Sequence, residues 1–434
     1  MHPMASGFSL LLQRRFAPMF LCTCLSAFND NYFKNALTIL ITYQLSQSMH
    51  ANPASIISLA AALFILPFFL FSGIAGRVAD RYAKHSLVRI SKFTELFLFV
   101  CATIALLNAH IYGLLIVLFL LGVQATFFGP VKYAILPSLL KENELIAGNG
   151  MTEAGTFVTI LLGTMLGGLL ILQPHGAEIV GISMIAMSFI GLIASYYVPH
   201  TDTANKEVKL SFNPISTTIE MLKISSANPM IWFAILGISW FWAVGATYLT
   251  QLPVFTKNVI GGNEEIVTLF MATFSVGVGI GSLACNRIMH GKVNLRYAPW
   301  ALLGIAITGF DIWFATANVH QATDQIIGIK NYLNDWQDWR LVLDLALLSI
   351  CGGLFIVPLY TLLQTRGQDS MRARSIAGNN VINAFFISVA SLAAAGAYSQ
   401  GFDVRDVFFV TALLGFPASY WVLKKAQKFA LLDS

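Results

Sequence analysis

Twelve apolar segments, each close to the length that a helix needs to cross a membrane, follow one another along this chain of 434 residues. A bilayer core is spanned by a helix of about 20 mostly apolar residues. Only 11% of the residues are charged, whereas a soluble domain carries about 25%. The sequence therefore excludes a water-soluble fold and predicts an all-α polytopic membrane protein. The predicted spans are 17–45, 54–75, 86–107, 111–130, 145–172, 177–198, 229–256, 265–289, 297–318, 340–363, 375–400 and 404–424.

The basic residues indicate the orientation of these spans, because cytoplasmic loops are enriched in Lys and Arg. If both termini are cytoplasmic, 21 of the 26 basic residues lie on the cytoplasmic side and four on the opposite side, with Lys34 inside the first span. The sequence thus predicts a multi-pass protein with both termini in the cytoplasm. No basic region or cleavage site precedes Arg14, so the first helix is expected to be retained.

A polar stretch between the sixth and seventh spans contains two helix-breaking Asn-Pro pairs. It divides the chain into an N-terminal six-helix bundle (1–198), a cytoplasmic linker (199–228) and a C-terminal six-helix bundle (229–434). The longest loop on the opposite side, about 319–339, is expected to form a short amphipathic surface helix. Its apolar residues would be Ile326, Ile327, Tyr332 and Trp336.

Two short motifs recur in the two halves. Ile146-Ala147-Gly148-Asn149, followed by Glu153, opens the fifth span, and Ile376-Ala377-Gly378-Asn379, followed by Asn383, opens the eleventh. A second and weaker pair, Gly76 to Arg81 and Gly281 to Arg287, follows the second and eighth spans. Duplicated halves are typical of secondary transporters, which bind their substrate near the bilayer midplane between the halves.

The second motif, Gly76 to Asp80-Arg81, together with the twelve spans, resembles the major facilitator superfamily. This resemblance implies two pseudo-symmetric six-helix bundles, with an Asp that holds the cytoplasmic gate by contacting a helix N-terminus across the halves. Such an N-terminus carries about half a positive charge. The first copy departs from the family pattern at Ala83, where a Gly is usual. In the second copy Cys285 replaces the Asp, so only Asp80 and Arg81 of the first copy are predicted to act in gating. The alternative is an ordinary loop cap.

Two longer stretches resemble the lysophospholipid transporter family. They are Phe28-Asn29-Asp30-Asn31-Tyr32-Phe33-Lys34-Asn35-Ala36-Leu37 and Phe128-Gly129-Pro130-Val131-Lys132-Tyr133-Ala134-Ile135-Leu136-Pro137. The resemblance implies movement of lysophospholipids across the bacterial inner membrane toward the cytoplasmic leaflet, where they are reacylated. Some relatives carry a fused acyltransferase, and here that enzyme is expected to be a separate partner. No cofactor and no nucleic acid are expected.

A polar stripe runs along the first span. A charged residue at the centre of a membrane helix costs about 2.5–3.5 kcal/mol, so the stripe should face a substrate passage rather than lipid. A zwitterionic headgroup would explain both charges, because Lys34 would bind its phosphate and Asp30 would bind its amine. Alternatively, these two residues form a self-neutralising pair one helical turn apart. Asn29 points away from the stripe and is expected to contact another helix. The predicted binding residues of the stripe are Asp30, Asn31, Lys34, Asn35 and Thr38.

The repeated motifs and the fourth span supply further candidate binding residues. Glu153 is either a charge-sensitive site, and thus a possible proton carrier, or an interhelical hydrogen-bonding residue. Lys132 either binds phosphate at the exit or extends to the membrane interface, and the second interpretation is favoured. The remaining candidates are Asn149, Asn379 and Asn383.

Three further acidic residues lie in or near spans. Arg340 and Asp344 are expected to pair, as are Lys92 and Glu95, while Asp311 has no local cation.

Two other functions compete with lysophospholipid transport. A proton-coupled exporter of a small amphiphile, such as a drug or siderophore, would use Asp30 or Glu153 as its carrier. A membrane-bound acyltransferase is disfavoured, because no His is followed by Asp five positions later. The five Cys all lie in apolar runs and indicate neither disulfides nor a metal site. An enzyme is therefore not expected.

Overall fold

The computed structural model describes residues 7–42, 53–202, 207–208, 210–289, 294–316, 327–334, 338–366, 371–429 and 431. Twelve long helices account for most of these residues, one for each predicted span, which confirms the all-α polytopic fold. Helices α1 to α12 are Ala17–Leu40, Pro53–Arg81, Lys84–Leu107, Ile111–Ala134, Leu145–Ile171, Gly176–Tyr196, Pro229–Phe255, Glu264–Met289, Ala298–Ala315, Asp338–Thr365, Arg372–Ser399 and Val404–Lys428. The shorter helices are Gly7–Leu10, Leu136–Leu139, Glu142–Glu144, Pro214–Ala227, Thr256–Ile260 and Ile329–Asn334.

Helices α2 to α12 are each long and apolar enough to cross a membrane. Helix α1 carries charged residues at its centre and is held in the bundle by close packing on α5. Gly163 and Gly167 make this possible, because an added Cβ would lie 2.3 Å from the carbonyl oxygen of Phe28 or Tyr32. Small residues four apart allow this approach of two membrane helices.

The helices pack mainly within two sets. In the first set α1 packs on α5 and α6, α2 on α4, and α3 on α4 and α6. In the second set α8 packs on α10, α9 on α10 and α12, and α7 on α11. The sets meet where α5 contacts α8 and α10, and where α11 contacts α2 and α4. A binding site between the sets must therefore be bounded by these helices.

Two of the helices that extend past their predicted ends carry residues important for the site. Helix α2 continues to Arg81, so Asp80 and Arg81 lie in its last turn and not in a loop. Helix α4 continues through Pro130 to Ala134 and therefore includes Lys132. Proline is tolerated inside membrane helices because neighbouring groups satisfy the freed backbone carbonyl.

The predicted linker contains a helix, Pro214–Ala227, which we call the linker helix. Both Asn-Pro pairs are helix starts: the side chain of Asn213 accepts hydrogen bonds from backbone N–H groups of the linker helix, and that of Asn228 caps α7 in the same way. Asn at the cap and Pro at the first helical position are a favoured combination. The linker helix lies across α2 and α11, where Met221 packs with Ala377 and Val381 of α11 and with Phe69 of α2.

The expected surface helix near 319–339 is only partly described. A six-residue helix, Ile329–Asn334, is present, but its Tyr332 is buried and packs edge-on against Phe270 of α8. Lys330, Asn331 and Asn334 of the same helix are exposed, so the described part of this segment is amphipathic, with the ring of Tyr332 on the side that faces the bundle. Ile326 and Trp336 lie outside the described residues.

Candidate functional site

A central cavity of about 340 Å³ lies between the two sets of helices. Its walls come from α1, α2, α4 and α5 on one side and from α7, α10 and α11 on the other. The polar side chains of the lining are Thr23, Ser26, Asp30, Asn31, Lys34, Gln124, Lys132, Tyr133, Thr156, Trp242, Tyr360, Asn380 and Asn383.

The rest of the lining is largely apolar, and half of it comes from α2 and α11. Phe64, Ile65 and Phe68 belong to α2, and Ala384 and Ile387 belong to α11. The central cavity is therefore amphipathic: its ionic groups come from α1 and α4, and α2 and part of α11 form an apolar wall.

The structure places three of the five stripe residues of α1 in the lining, namely Asp30, Asn31 and Lys34. Asn35 instead donates a hydrogen bond to the carbonyl of Thr164 on α5, at 2.6 Å, and Thr38 donates to the carbonyl of Lys34 within α1. The stripe is about 140° wide by helical geometry. Asn35, at one edge, therefore meets α5, while Asp30 and Lys34, toward the other edge, face the cavity.

Asn29 has the helix-contact role that its position in the sequence predicts. It is fully buried, and its side-chain nitrogen donates to the carbonyl of Met184 at 3.1 Å and to the hydroxyl of Ser188 at 2.9 Å, both on α6.

Asp30 and Lys34 do not form an ion pair. No Nζ–carboxylate distance within 4.0 Å joins them among the described side chains. The Lys34 ammonium lies over the ring of Phe64, 4.4 Å from its centroid, and Oδ1 of Asp30 has no hydrogen-bond partner among the described atoms. A cation is attracted to an aromatic face but is not neutralised by it. Both charges thus stay available to a ligand, which argues against the self-neutralising interpretation.

Lys132 faces the central cavity, so the prediction that it extends to the membrane interface is wrong. Because α4 continues past Pro130, Lys132 falls on the same helix face as Gln124 and Phe128, which also line the cavity. Its ammonium lies 4.7 Å from the centroid of the Tyr133 ring. The cavity therefore contains a second lysine over an aromatic ring.

A buried network of four side chains supports the polar wall behind α1 and α4. Lys92 and Glu95 of α3 are both fully buried and pair at 3.0 Å. Ser26 donates to Oε2 of Glu95 at 2.5 Å and accepts from Lys92 at 2.6 Å. Gln124 donates to the same Oε2 at 3.3 Å. The sequence predicts the pair from its spacing of three residues, but the partners on α1 and α4 are 69 and 29 residues away and gave no local signal.

Removing one charge of this buried network is expected to destabilise the protein. Lys92→Met would leave Glu95 as an uncompensated buried charge, at a cost of about 3–5 kcal/mol, whereas Lys92→Met/Glu95→Leu should recover most of that loss. Thermal unfolding of purified protein in detergent measures the difference. A double variant as unstable as the single variants would contradict the assignment.

The network also fixes the relative depth of the two lysines. Ser26 and Gln124 lie at a similar depth because both contact Glu95. Lys34 is eight positions beyond Ser26 on α1, and Lys132 is eight positions beyond Gln124 on α4. Helices α1 and α4 run in opposite directions. At a rise of 1.5 Å per residue, each lysine backbone lies about 12 Å from that depth, on opposite sides. The two lysines are therefore at opposite ends of the central cavity.

The floor of the cavity is an aromatic layer that joins the two sets of helices. Tyr133 of α4 stacks on Tyr360 of α10, with ring centroids 4.2 Å apart. Tyr360 accepts a hydrogen bond from the indole of Trp242 at 2.9 Å, and Trp242 stacks on Phe157 of α5. Any solute that leaves the cavity toward this floor must separate these rings.

Glu153 lies behind this layer and is not part of the cavity lining. It is fully buried, and its Oε1 accepts a hydrogen bond of 2.6 Å from the hydroxyl of Tyr133. This geometry supports the interhelical interpretation of Glu153. Its effect on the cavity would be indirect, through the position of the Tyr133 ring.

Asn149 also lies below the floor, in a hydrogen-bonded pair between the sets. Its amide and that of Gln364 on α10 exchange two hydrogen bonds, at 2.6 and 3.0 Å, and Asn149 also donates to Thr361. Gln364 donates in turn to the carbonyl of Tyr133. The structure therefore gives Asn149 an inter-helix contact instead of a place in the cavity wall.

The asparagines of α11 are divided between the cavity and the interior. Asn383 lines the cavity and accepts a hydrogen bond from Ser239 at 2.7 Å. Asn380, which the sequence analysis did not select, also lines it, close to Gly129 of α4. Asn379 is fully buried and is not part of the lining.

Asp80 connects the end of α2 with the start of α11. Its carboxylate is buried and accepts hydrogen bonds from the backbone N–H of Ala373, at 3.0 Å, and from the guanidinium of Arg374, at 2.8 Å. These are the contacts of an acidic group with a helix N-terminus. Arg81 donates to the carbonyl of Val208 in the predicted linker and does not reach α11.

All described hydrogen bonds between the two sets lie at one end of the bundle, which we call the closed end. They join Asp80 to α11, and they join Asn149 and Tyr133 to Gln364 and Thr361 on α10. The central cavity lies on the other side of the aromatic floor. The molecule therefore has the geometry of a two-bundle carrier that is closed at one end.

Away from the cavity, one predicted ion pair differs from the structure. Arg340 of α10 pairs with Asp311 of α9, with Nε 2.9 Å from Oδ2, and not with Asp344 on its own helix. Within the described ranges, no group of three His, Cys, Asp or Glu side chains is placed to hold a metal ion.

Known proteins resemble this chain in sequence and fold. The sequence profile of the Major Facilitator Superfamily matches residues 19–391. The chain is 27% identical over 381 residues to the lysophospholipid transporter LplT of Serratia proteamaculans, covering 86% of this chain and 85% of the relative. It is 26% identical to LplT of Photorhabdus laumondii, covering 96% and 98%.

Solved structures share the fold at lower identity. The human organic anion transporter MFSD10 (TETRAN) superposes with a TM-score of 0.77 at 13% identity, covering 94% of this chain and 99% of that one. A bacterial homologue of the iron transporter ferroportin, in an outward-facing state, superposes with a TM-score of 0.68 at 15% identity, with the same coverage. Since the family profile covers most of the chain and the helical architecture agrees with it, the chain belongs to the Major Facilitator Superfamily of membrane transporters.

Proposed function

We propose that this transporter moves lysophospholipids of the lysophosphatidylethanolamine or lysophosphatidylglycerol type across the bacterial inner membrane, toward the cytoplasmic leaflet. The observation that carries the proposal is the amphipathic cavity, in which unpaired ionic side chains of both signs face an apolar wall. The similarity to transporters named for lysophospholipids supports the same substrate class.

The lining matches the parts of a single-chain phospholipid. Lys34 and Lys132 would bind the phosphate, since an ammonium forms strong charge-assisted hydrogen bonds with phosphate oxygens. Asp30, with a free carboxylate oxygen, would bind the amine of the headgroup. The acyl chain would pack on the aromatic and aliphatic residues of α2 and α11. A ligand lacking either a charge or an apolar chain would leave one wall of the cavity unsatisfied.

The positions of the two lysines suggest how the headgroup advances. With both termini in the cytoplasm, as the basic residues favour, the closed end faces the cytoplasm and Lys34 lies toward the outer side. The phosphate would bind first at Lys34 and then at Lys132, once the aromatic floor and the Asp80 contact open. The two bundles, 1–198 and 229–434 with the linker 199–228 between them, would rock about this site in alternating access.

The product of this transport is a lysophospholipid in the cytoplasmic leaflet, which an acyltransferase can reacylate. We propose that this enzyme is a separate protein, since the cavity contains binding groups and the family is one of transporters. The transporter itself would need no cofactor.

Transport by reconstituted vesicles tests the proposal. Labelled lysophosphatidylethanolamine should enter protein-containing vesicles faster than empty ones without a pH gradient. The competing function, a proton-coupled exporter of a small amphiphile, requires strict dependence on a proton gradient and movement of drug-like substrates. Drug transport under a gradient, with no lysophospholipid movement under either condition, would overturn the proposal in favour of the exporter.

A further inference from the structure

Gln124 of α4 occupies an unusual place in the cavity wall. It is 6% exposed, it lines the central cavity, and it contacts the buried network behind that wall. The amide group of a glutamine can donate through its nitrogen and accept through its oxygen. Which of the two faces the cavity decides what kind of ligand group Gln124 can bind.

The partners of the amide nitrogen determine its orientation. Nε2 lies 2.8 Å from the hydroxyl of Ser91, 3.4 Å from the carbonyl oxygen of Ser91 and 3.3 Å from a carboxylate oxygen of Glu95. A backbone carbonyl oxygen can only accept hydrogen bonds, and the same carboxylate oxygen of Glu95 already accepts from Ser26 and Lys92. The nitrogen is therefore held toward α3, and Oε1 of Gln124 remains without a partner among the described residues.

We propose that Gln124 is a specificity-determining residue whose Oε1 accepts a hydrogen bond from the free glycerol hydroxyl of a bound lysophospholipid. The proposal rests on the proposed function and refines it. The free hydroxyl is the group that distinguishes a lysophospholipid from a diacyl phospholipid, in which the same oxygen is esterified and has no hydrogen to donate. A fixed acceptor in the cavity wall would favour the hydroxyl-bearing lipid.

The depth of Gln124 is suitable for this contact. It lies between Lys34, toward one end of the cavity, and Lys132, toward the other. The glycerol is covalently attached to the phosphate, so a phosphate bound by either lysine, with its glycerol turned toward the middle of the cavity, would bring the glycerol hydroxyl toward the level of Gln124. A site that is built to bond a hydroxyl discriminates against an analogue that lacks it, because the protein group is left unpaired.

The experiment compares lysophosphatidylethanolamine with its analogue in which the glycerol hydroxyl is replaced by hydrogen, both transported by reconstituted full-length protein. One hydrogen bond is worth about tenfold in rate. We expect the unsubstituted protein to prefer the hydroxyl lipid by about tenfold. In Gln124→Leu the rate for the hydroxyl lipid should fall to that of the analogue, while the rate for the analogue stays within about twofold.

A second pair of variants tests the orientation of the amide and decides the question if Gln124→Leu does not fold. Ser91→Ala removes an acceptor of Nε2 and should lower the preference for the hydroxyl lipid by several-fold. Thr94→Ala removes another hydroxyl from the same helix, one that donates to the carbonyl of Ile90 within that helix, and should leave the preference unchanged. A preference that survives Gln124→Leu, or that survives Ser91→Ala where Gln124→Leu does not fold, would overturn the proposal.

The headgroup ammonium is another donor, and lysophosphatidylcholine, which has no N–H, distinguishes it. If Gln124→Leu abolishes a preference for lysophosphatidylethanolamine over lysophosphatidylcholine but keeps the hydroxyl preference, the assignment to the hydroxyl is wrong. Equal transport of the hydroxyl lipid and its analogue by the unsubstituted protein also overturns it, while the proposed function stands. No transport of either lipid would instead mean that the proposed function itself has failed.

Discussion

A disulfide between α5 and α8 is expected to abolish transport. A Cβ added at Gly279 would lie 3.7 Å from the Cβ of Ala154, and the mean Cβ–Cβ distance across a disulfide is about 3.8 Å. Ala154→Cys/Gly279→Cys should therefore oxidise readily and tie the two sets of helices together near the closed end. Because alternating access requires this end to open, transport should fall to background and should return when a reductant is added.

The single variants provide the controls. Ala154→Cys and Gly279→Cys alone should transport at nearly the unsubstituted rate with or without oxidant, since the five native cysteines form no disulfide among the described residues. Loss of free-thiol labelling in the double variant reports that the bond has formed. Undiminished transport by fully oxidised double variant would show that α5 and α8 need not separate, which contradicts a rocking mechanism.

Asp30→Asn and Lys34→Gln are each expected to lower lysophospholipid transport by at least tenfold, and the double variant should not recover. The structure leaves these two residues unpaired in one cavity, so neither exists only to neutralise the other. Losing a charge-assisted hydrogen bond to the substrate costs about 1.5–3 kcal/mol, which corresponds to tenfold or more. Initial rates in reconstituted vesicles, normalised to the amount of folded protein, measure the effect.

Lys34→Arg is the matched variant for this series, because it retains the positive charge and should keep more activity than Lys34→Gln. Recovery of transport in Asp30→Asn/Lys34→Gln would identify a structural ion pair formed at some stage of the cycle. That result would remove these residues from the binding site.

The architecture could be predicted from the sequence because its physical cause is local in the chain. A membrane helix must satisfy its own backbone and must be about 20 mostly apolar residues long, so each span appears as one predominantly apolar run. The ends were less predictable. Pro130 looks like a terminus, yet α4 passes through it, and this single difference moved Lys132 from the interface into the cavity.

The site could be predicted only in part. Asp30 and Lys34 can be recognised as site residues from the sequence, because charged side chains in an apolar helix are costly against lipid. Gln124 and Gln364 carry no such mark. Their significance depends on Glu95 and Asn149, which lie 29 and 215 positions away, and helical periodicity does not tell which faces of distant helices meet.

The sequence predicts that the repeated motif is part of the binding site, whereas the structure assigns most of it to contacts at the closed end. Both copies begin a helix there, and Asn149 and Asn379 are both fully buried. Gly150, next to Asn149, would place a Cβ only 2.4 Å from the carbonyl oxygen of Ser282 on α8. Duplication has thus preserved the surfaces that meet when the bundles close, while the ionic groups of α1 have no matching copy.

The linker helix has an energetic consequence for the transport cycle. Met221 packs at once on Phe69 of α2 and on Ala377 and Val381 of α11, and Glu220 pairs with Arg77 of α2. If α2 and α11 part, this helix can follow only one of them, and water then reaches apolar side chains that were covered. Exposing these side chains costs free energy. The linker helix would therefore favour the conformation described here, in which the closed end is shut and the cavity can take up substrate from the opposite side.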